Sequence, residues 1–345
     1  MTRRRIHFRT ATAMNPSPWP VPPIPTSAQL AAWLGIGLNE LDWFADCQRR
    51  LSKASAKLQH YTYRWLAKRS GKPRLLEMPK QRLKAIQRRI LHEILDVLPP
   101  HEAAHGFRRS RSIASFVAGH AGRDIVLRFD LRDFFPSILP CRVHALFVKA
   151  GYPRPVARLL TSLCSTVASC EVAQASDLYR TPHLPQGAPT SPALANLCAY
   201  RLDCRLTGLA RKLGAHYTRY ADDLAFSGGQ DLERCARRFQ IAVCRIALEE
   251  GFEVHTQKSR FMRRSVRQQL AGVVLNAHPN LQRVDYEELK AILHNCVCHG
   301  PESQNRVGDP DFRGYLLGRI AYVSMLHPAR GAKLQAKFAK VSWSM

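Results

Sequence analysis

The 345-residue sequence predicts an α+β fold. Strand-like alternation gathers into two hairpins, Tyr61–Met78 and Tyr217–Ser227, which makes the sheet pairing antiparallel. Around them apolar residues recur at helical spacing, as in Leu83, Ile86, Ile90, Leu91, Ile94 and Leu95. A hydrophobic content of 46% is ample for real cores, and a chain of this length usually makes two or three compact units. That composition excludes a disordered protein. Apolar runs such as Ile125–Leu127 and Ala271–Leu275 are far too short to span a bilayer, so no membrane partner is expected.

Taken in order, residues 1–27 are basic and then proline-rich, and read as an extended arm. Ser27 is placed to cap a first helix carrying Leu30, Trp33 and Leu34, and a second helix is predicted over Leu38–Leu51. The first hairpin turns at Ser70-Gly71-Lys72-Pro73, and the helix after it stops at Pro99-Pro100. A short helix over Ser112–Gly119 precedes a buried strand, Ile125–Phe129, ending at Asp130. Helical patterns follow at Cys141–Lys149, Pro155–Thr166 and Ser191–Leu213. The second hairpin has Asp222 and Asp223 in its tight turn, and a long helix runs over Leu232–Glu250. Strands are predicted at Phe252–Val254 and Ala271–Leu275, and the tail from Asp285 is helical and basic.

The charge balance narrows the function. Lys and Arg number 52 against 26 Asp and Glu, a formal charge of +26 spread along the whole chain. Such a field attracts polyanions, chiefly nucleic acid, with an affinity that falls steeply as salt rises. The opening MTRRRIHFRT lacks the apolar stretch of a signal peptide, so the expected location is the cytoplasm. Eight of the ten cysteines lie singly and read as small buried hydrophobes. The cluster His294, Cys296, Cys298 and His299 matches no standard zinc spacing. In a chain short of carboxylates, Asp130 at a strand end and Asp222-Asp223 in a turn stand out. Clustered carboxylates repel unless a cation joins them, or unless they cap helices or pair with Arg; two hard divalent ions held by aspartates serve phosphoryl transfer.

The neighbouring words sharpen this. Leu127–Ile138 (LRFDLRDFFPSI) resembles the first catalytic motif of reverse transcriptases, Leu184–Pro192 (LPQGAPTSP) their template-and-nucleotide loop, and Arg219–Leu224 (RYADDL) their Tyr-x-Asp-Asp turn. The three occur in the family's order. Arg74–Ile90 and His105–Ile113 look like finger motifs of bacterial, particularly retron-type, enzymes, and Lys258–Asn276 resembles the segment that closes the palm. One departure is Leu270-Ala271-Gly272, where retron enzymes commonly read Val-Thr-Gly.

The resemblance implies a right-hand polymerase: N-terminal helices and fingers over 28–125, a palm with antiparallel sheet over 126–280, and a helical basic thumb over 281–345. It implies RNA-directed DNA synthesis in the bacterial cytoplasm, with two Mg²⁺ ions held by Asp130, Asp222, Asp223 and the Leu131 carbonyl. Lys258 falls near the leaving pyrophosphate. Lys72 and Arg74 meet the triphosphate of a dNTP. Phe135 packs beneath the incoming sugar, whereas Phe134 is core. Gln186 and Gly187 touch nucleotide and template. Arg108, Arg109, Arg111, Arg260, Arg263, Arg264 and Arg267 grip nucleic-acid backbone, and Arg313 and Arg319 bind it from the thumb, which grips the primer–template duplex. Tyr286, Tyr315 and Tyr322 read as core before they read as stacking platforms. The retron likeness implies a structured noncoding RNA as template and primer, its cDNA product, an effector protein, and a role in anti-phage defence. Two other readings stay open: a different defence or group II intron-like reverse transcriptase, and an RNA-binding scaffold without catalysis.

Overall fold

A computed structural model describes residues 14–67, 73–174 and 176–343. Lys72, most of the first hairpin's turn and the start of the basic arm lie outside these residues. The described part of the arm follows no regular structure, yet it is held: Ile24 is buried and the Asn15 N–H donates to Gly151 at 3.0 Å. Helix α1 (Ser27–Leu34) is capped by Thr26, one residue earlier than predicted, with Gly35 closing it at φ +71°. Helix α2 (Leu38–Ala45) ends sooner than Leu51, because Asp46 and Arg49 take left-handed backbone and a 3₁₀ turn follows.

Strands β1 (Tyr61–Leu66) and β2 (Arg74–Pro79) pair antiparallel in a six-residue register. Helix α3 (Gln81–Ile90) widens into a π turn over Leu91–Leu95 before the prolines stop it. Helix α4 (Ile113–Ala118) starts with a capping box between Ser112 and Ser115. Strand β3 (Ile125–Arg132) then runs two residues past Asp130. Helices α5 (Pro140–Lys149), α6 (Arg154–Cys164) and the short α7 (Cys170–Ala173) follow. The predicted helix over 191–213 is two, α8 (Ser191–Cys198) and α9 (Tyr200–Arg211), broken at Ala199.

Strands β4 (His216–Tyr220) and β5 (Asp223–Gly228) form the second hairpin, and α10 (Gln230–Glu249) is the long helix. Strands β6 (Glu253–Val254) and β7 (Arg260–Arg263) come next. Strands β8 (Gln269–Leu270) and β9 (Val273–Val274) make a tight hairpin where one strand was predicted. Its turn residues, Ala271 and Gly272, both have positive φ, as a type I′ turn requires. Helices α11 (Arg283–His299), α12 (Phe312–Leu326) and α13 (Pro328–Phe338) finish the chain. No helix among the described residues is long and apolar enough to cross a membrane.

The chain divides into two compact units. The first comprises Met1–Phe107, Leu131–Leu206 and Val243–His255, and the second Arg108–Asp130, Thr207–Ala242 and Thr256–Met345. In the second, β5 and β7 flank β3, and β4 lies outside β5. One face of this sheet carries Phe129 and Phe226, with Phe239 of α10 edge-on to Phe226 at 4.9 Å. The other face carries Val126 and Ala225 under Phe116 and Val117 of α4 and the β8–β9 hairpin. A separate core within this unit joins α11, α12 and α13 through Leu289, Leu293, Cys296, Leu316, Ile320 and Leu334. In the first unit, Leu131 and Arg132 at the end of β3 pair with Val254 and Glu253 of β6.

Candidate active site

Strand alternation sets up the carboxylates. On β3, Val126, Arg128 and Asp130 share a face, and on β5 Asp223, Ala225 and Ser227 lie opposite, with Asp130 directly across from Asp223. Asp130 is 8% exposed, so two aspartates face one another in a largely dry place. The sequence put Asp130 at the strand's end and Asp223 in the turn. In the structure both are ladder residues: they pair with each other, Asp223 also pairs with Tyr220, and β6 carries the pairing of β3 on past Asp130. The turn itself is Ala221-Asp222, with Ala221 at φ +56°. Arg219, fully buried, donates to the Ala221 carbonyl at 3.1 Å and holds that strained residue in place.

Each facing carboxylate has a cation. Arg128 lies diagonally across the ladder from Asp223 and grips it in a fork, Nε to Oδ1 at 2.8 Å and a terminal nitrogen to Oδ2 at 2.9 Å. Lys258, in the turn before β7, brings Nζ to 2.9 Å from Asp130 Oδ1. The sequence singled out Lys258 but missed Arg128. Its signal was a charged residue inside a buried strand, which needs a partner.

Burial is the largest influence on Asp223 and pushes its carboxyl up to about 6. Arg128 pulls the other way, and Asp222 and Asp130 add to the rise. Raised that far, the ionised form costs roughly 2–3 kcal/mol in the folded state. This contribution is most favourable below the ordinary carboxylate range near pH 4 and is lost as pH rises through 6. Asp223→Asn therefore raises the melting temperature of the metal-free protein by a few degrees at pH 7.5 and leaves it nearly unchanged at pH 4. Thermal melts in EDTA check this, and a difference that stays flat across pH would contradict it.

Among the described residues no three His, Cys, Asp or Glu side chains converge as a metal cluster. Mg²⁺ does not need three. It commonly takes one or two carboxylates and fills the rest of its octahedron with water and substrate phosphate. Asp130 and Asp222 supply oxygen donors of that kind, and the cations already drawn to Asp130 and Asp223 mark a place that demands positive charge.

A second constellation lies in the first unit. Gln186 and Gly187 run against β2: the Glu77 N–H donates to the Gln186 carbonyl at 2.8 Å, and a Cβ on Gly187 would sit 3.0 Å from the Glu77 carbonyl oxygen. Gly187 has φ +130°, so a glycine is required here twice over. Arg74 opens β2 on its exposed phase. Phe134 is buried against Phe252 at 5.6 Å, whereas Phe135 is half-buried with Phe107 6.1 Å away, so Phe134 is the ring that belongs to the core. Leu131 is buried, its backbone in the ladder opposite Val254.

The arginines expected to grip nucleic acid all belong to the second unit. Arg109, Arg260, Arg264, Arg267 and Arg313 are exposed, and Arg108 and Arg111 are half-buried. Arg263 pairs with Glu233 at 2.8 Å, and Arg319 lies over the Tyr315 ring and 3.5 Å from Glu288. Tyr286 and Tyr322 pack on the core of α11–α13, as expected, but Tyr315 is 48% exposed and is not core. Its place one helical turn before Arg319 turns it outward with that side chain.

Residues 66–286 match the family model for reverse transcriptase, described as an RNA-dependent DNA polymerase. The chain is 40% identical over 314 residues to the retron Mx65 reverse transcriptase of Myxococcus xanthus, covering 90% of this chain and 70% of that one. It is 37% identical over 335 residues to the retron Mx162 reverse transcriptase of the same organism, covering 90% and 66%. It is 34% identical over 228 residues to the retron Ec86 reverse transcriptase of Escherichia coli, covering 65% and 66%.

Proposed function

The chain belongs to the reverse transcriptases and is an RNA-directed DNA polymerase of their right-hand fold; from that premise we propose that it is the enzyme of a retron, copying a dedicated structured RNA into cDNA by two-metal phosphoryl transfer. The observation that carries the reading is the cross-strand pair Asp130 and Asp223 with Asp222 in the adjoining turn. Likeness to retron relatives over 90% of the chain supports the choice of template.

In this reading a primer hydroxyl attacks the α-phosphorus of a dNTP and pyrophosphate leaves. Asp130 and Asp222 hold two Mg²⁺ ions, completed by the Leu131 carbonyl. When bound, the ions activate the attacking oxygen and offset charge on the leaving one. Asp223, anchored by Arg128, fixes the turn that presents Asp222 and lends its charge to the site. Lys258 starts from its contact with Asp130 and gives a proton to the departing pyrophosphate. Arg74 and Lys72 meet the triphosphate, and the Phe135 ring lies where a ribose 2′-OH would clash. Gln186 and Gly187 line the nucleotide and template. The exposed arginines grip phosphates and set affinity and register more than sequence choice.

By role, the fingers take 28–125, the palm 126–280 and the thumb 281–345. The enzyme works in the bacterial cytoplasm with an effector protein in anti-phage defence. The test is to purify the chain from its host and sequence the nucleic acid that travels with it, after separate RNase and DNase digestion. One defined RNA joined to short complementary DNA, absent in an Asp222→Ala/Asp223→Ala variant, is expected. Abundant RNA without DNA, unchanged by that variant, would replace the retron reading with an RNA-binding scaffold. DNA of repeated or untemplated sequence would point to another class of defence reverse transcriptase.

A further inference from the structure

Glu77 does not belong where β2 puts it on hydrophobic grounds. The strand alternates, and Glu77 falls on the inward phase with Leu75 and Pro79, fully buried. A carboxyl there needs a partner. The partner is His183, also fully buried, whose Nε2 lies 2.9 Å from Glu77 Oε2. His183 Nδ1 is 2.7 Å from the Thr181 carbonyl. A carbonyl only accepts, so Nδ1 carries a hydrogen, and Nε2 shares a single proton with the Glu77 carboxyl. Wherever that proton sits, the pair has no net charge, which lets it persist in a dry interior.

His183 is pinned through its backbone as well, exchanging both main-chain bonds with Thr166 at 3.0 and 2.9 Å. The same carboxylate oxygen of Glu77 accepts from the Gln186 N–H at 3.4 Å, beside the 2.8 Å bond from the Glu77 N–H to the Gln186 carbonyl. Ser191 donates its hydroxyl to the Pro185 carbonyl and closes the loop's other side. One carboxyl thus fixes a histidine at the loop's start and the amide of its central glutamine. An apolar pair would hold β2 in place without burying polar groups. What the polar pair adds is direction.

We infer that Glu77 and His183 are positioning residues for the Gln186–Gly187 loop, and that the pair sets the enzyme's affinity for the incoming dNTP. The inference rests on the proposed reading that this loop meets the nucleotide. The strand would then serve the nucleotide from both phases, Arg74 outward toward the triphosphate and Glu77 inward beneath the loop.

Steady-state primer extension on an RNA template tests it with three variants. Glu77→Gln keeps the shape and donates an amide hydrogen to His183 Nε2, but turns a donor toward the Gln186 N–H. It raises KM for dNTP about tenfold, with kcat within about twofold and with melting temperature and primer–template affinity close to wild type. His183→Ala moves KM the same way, and the double variant is no worse than the worse single one, as expected for residues acting as a unit. Gln186→Ala is the control for the loop itself. If it raises KM and Glu77→Gln does not, the positioning role fails while the loop's role stands. If Gln186→Ala leaves KM unchanged, the reading of the loop as a nucleotide contact fails, and the inference with it. If Glu77→Gln lowers kcat, template affinity and melting temperature together, the pair is merely structural and the inference is overturned.

Discussion

Asp222→Asn and Asp130→Asn each lower primer extension by at least about 10³-fold while leaving affinity for primer–template within a few-fold. The exchange is nearly isosteric, so it removes a unit of negative charge and little else. For Asp130, 8% exposed, that charge sits where the sheet has excluded most water, and there electrostatic interactions are far stronger than at a wet surface; Asp222 is half-buried in the adjoining turn. Loss of a preorganised charge at a reacting phosphate is worth several kcal/mol, and about 4 kcal/mol is three decades of rate. Binding of nucleic acid rests on a different resource, a formal charge of +26 distributed over the chain, which neither variant depletes. Asp223→Asn is the graded comparison. Both its oxygens are engaged in the Arg128 fork, so its loss is smaller, about 10–10²-fold. Extension assays with filter binding on the same preparations check all three. An Asp222→Asn enzyme that keeps a tenth of its activity would remove that residue from the chemistry.

Local pattern made much of the scaffold legible and left long-range pairing hidden. The two hairpins show in the sequence because alternation is a property of a few adjacent residues. Strand β7 does not, since Arg260-Phe261-Met262-Arg263 is exposed and charged along most of its length and becomes a strand only because β3 offers an edge. Asp130 looks like a strand end for the same reason: Glu253 and Val254, which extend the ladder, lie more than a hundred residues away. Ala199 breaks a helix with neither glycine nor proline to announce it, and Ala271 takes left-handed backbone that its side chain disfavours. For the site, the aspartates and Lys258 were readable through motif order and residue chemistry. Arg128, Glu77 and His183 were visible only as charges and polar rings in apolar company. Their signal says that a partner exists, and only the fold says which one.

Gly187→Ala costs about 10²-fold in primer extension, and its cause can be separated from general strain. At φ +130° an L side chain is unfavourable by roughly 1–3 kcal/mol wherever it occurs. Here the added Cβ also meets the Glu77 backbone, 3.0 Å from the carbonyl oxygen and 3.4 Å from its carbon. Backbone cannot rotate away as a side chain can. Strand β2 is held by its full register to β1, from Tyr61↔Pro79 to Leu66↔Arg74, so the loop is the part that gives. Its displacement carries Gln186 with it, and an error of even part of an ångström in a reacting geometry is costly in rate. Gly35→Ala is the control, for Gly35 also has positive φ, at +71°, but its Cβ would meet nothing within 4 Å. It lowers the melting temperature by a few degrees and leaves extension unchanged. Should Gly35→Ala and Gly187→Ala lose activity alike, strain spread through the fold would account for both, and close packing of the loop on Glu77 would have no separate part in catalysis.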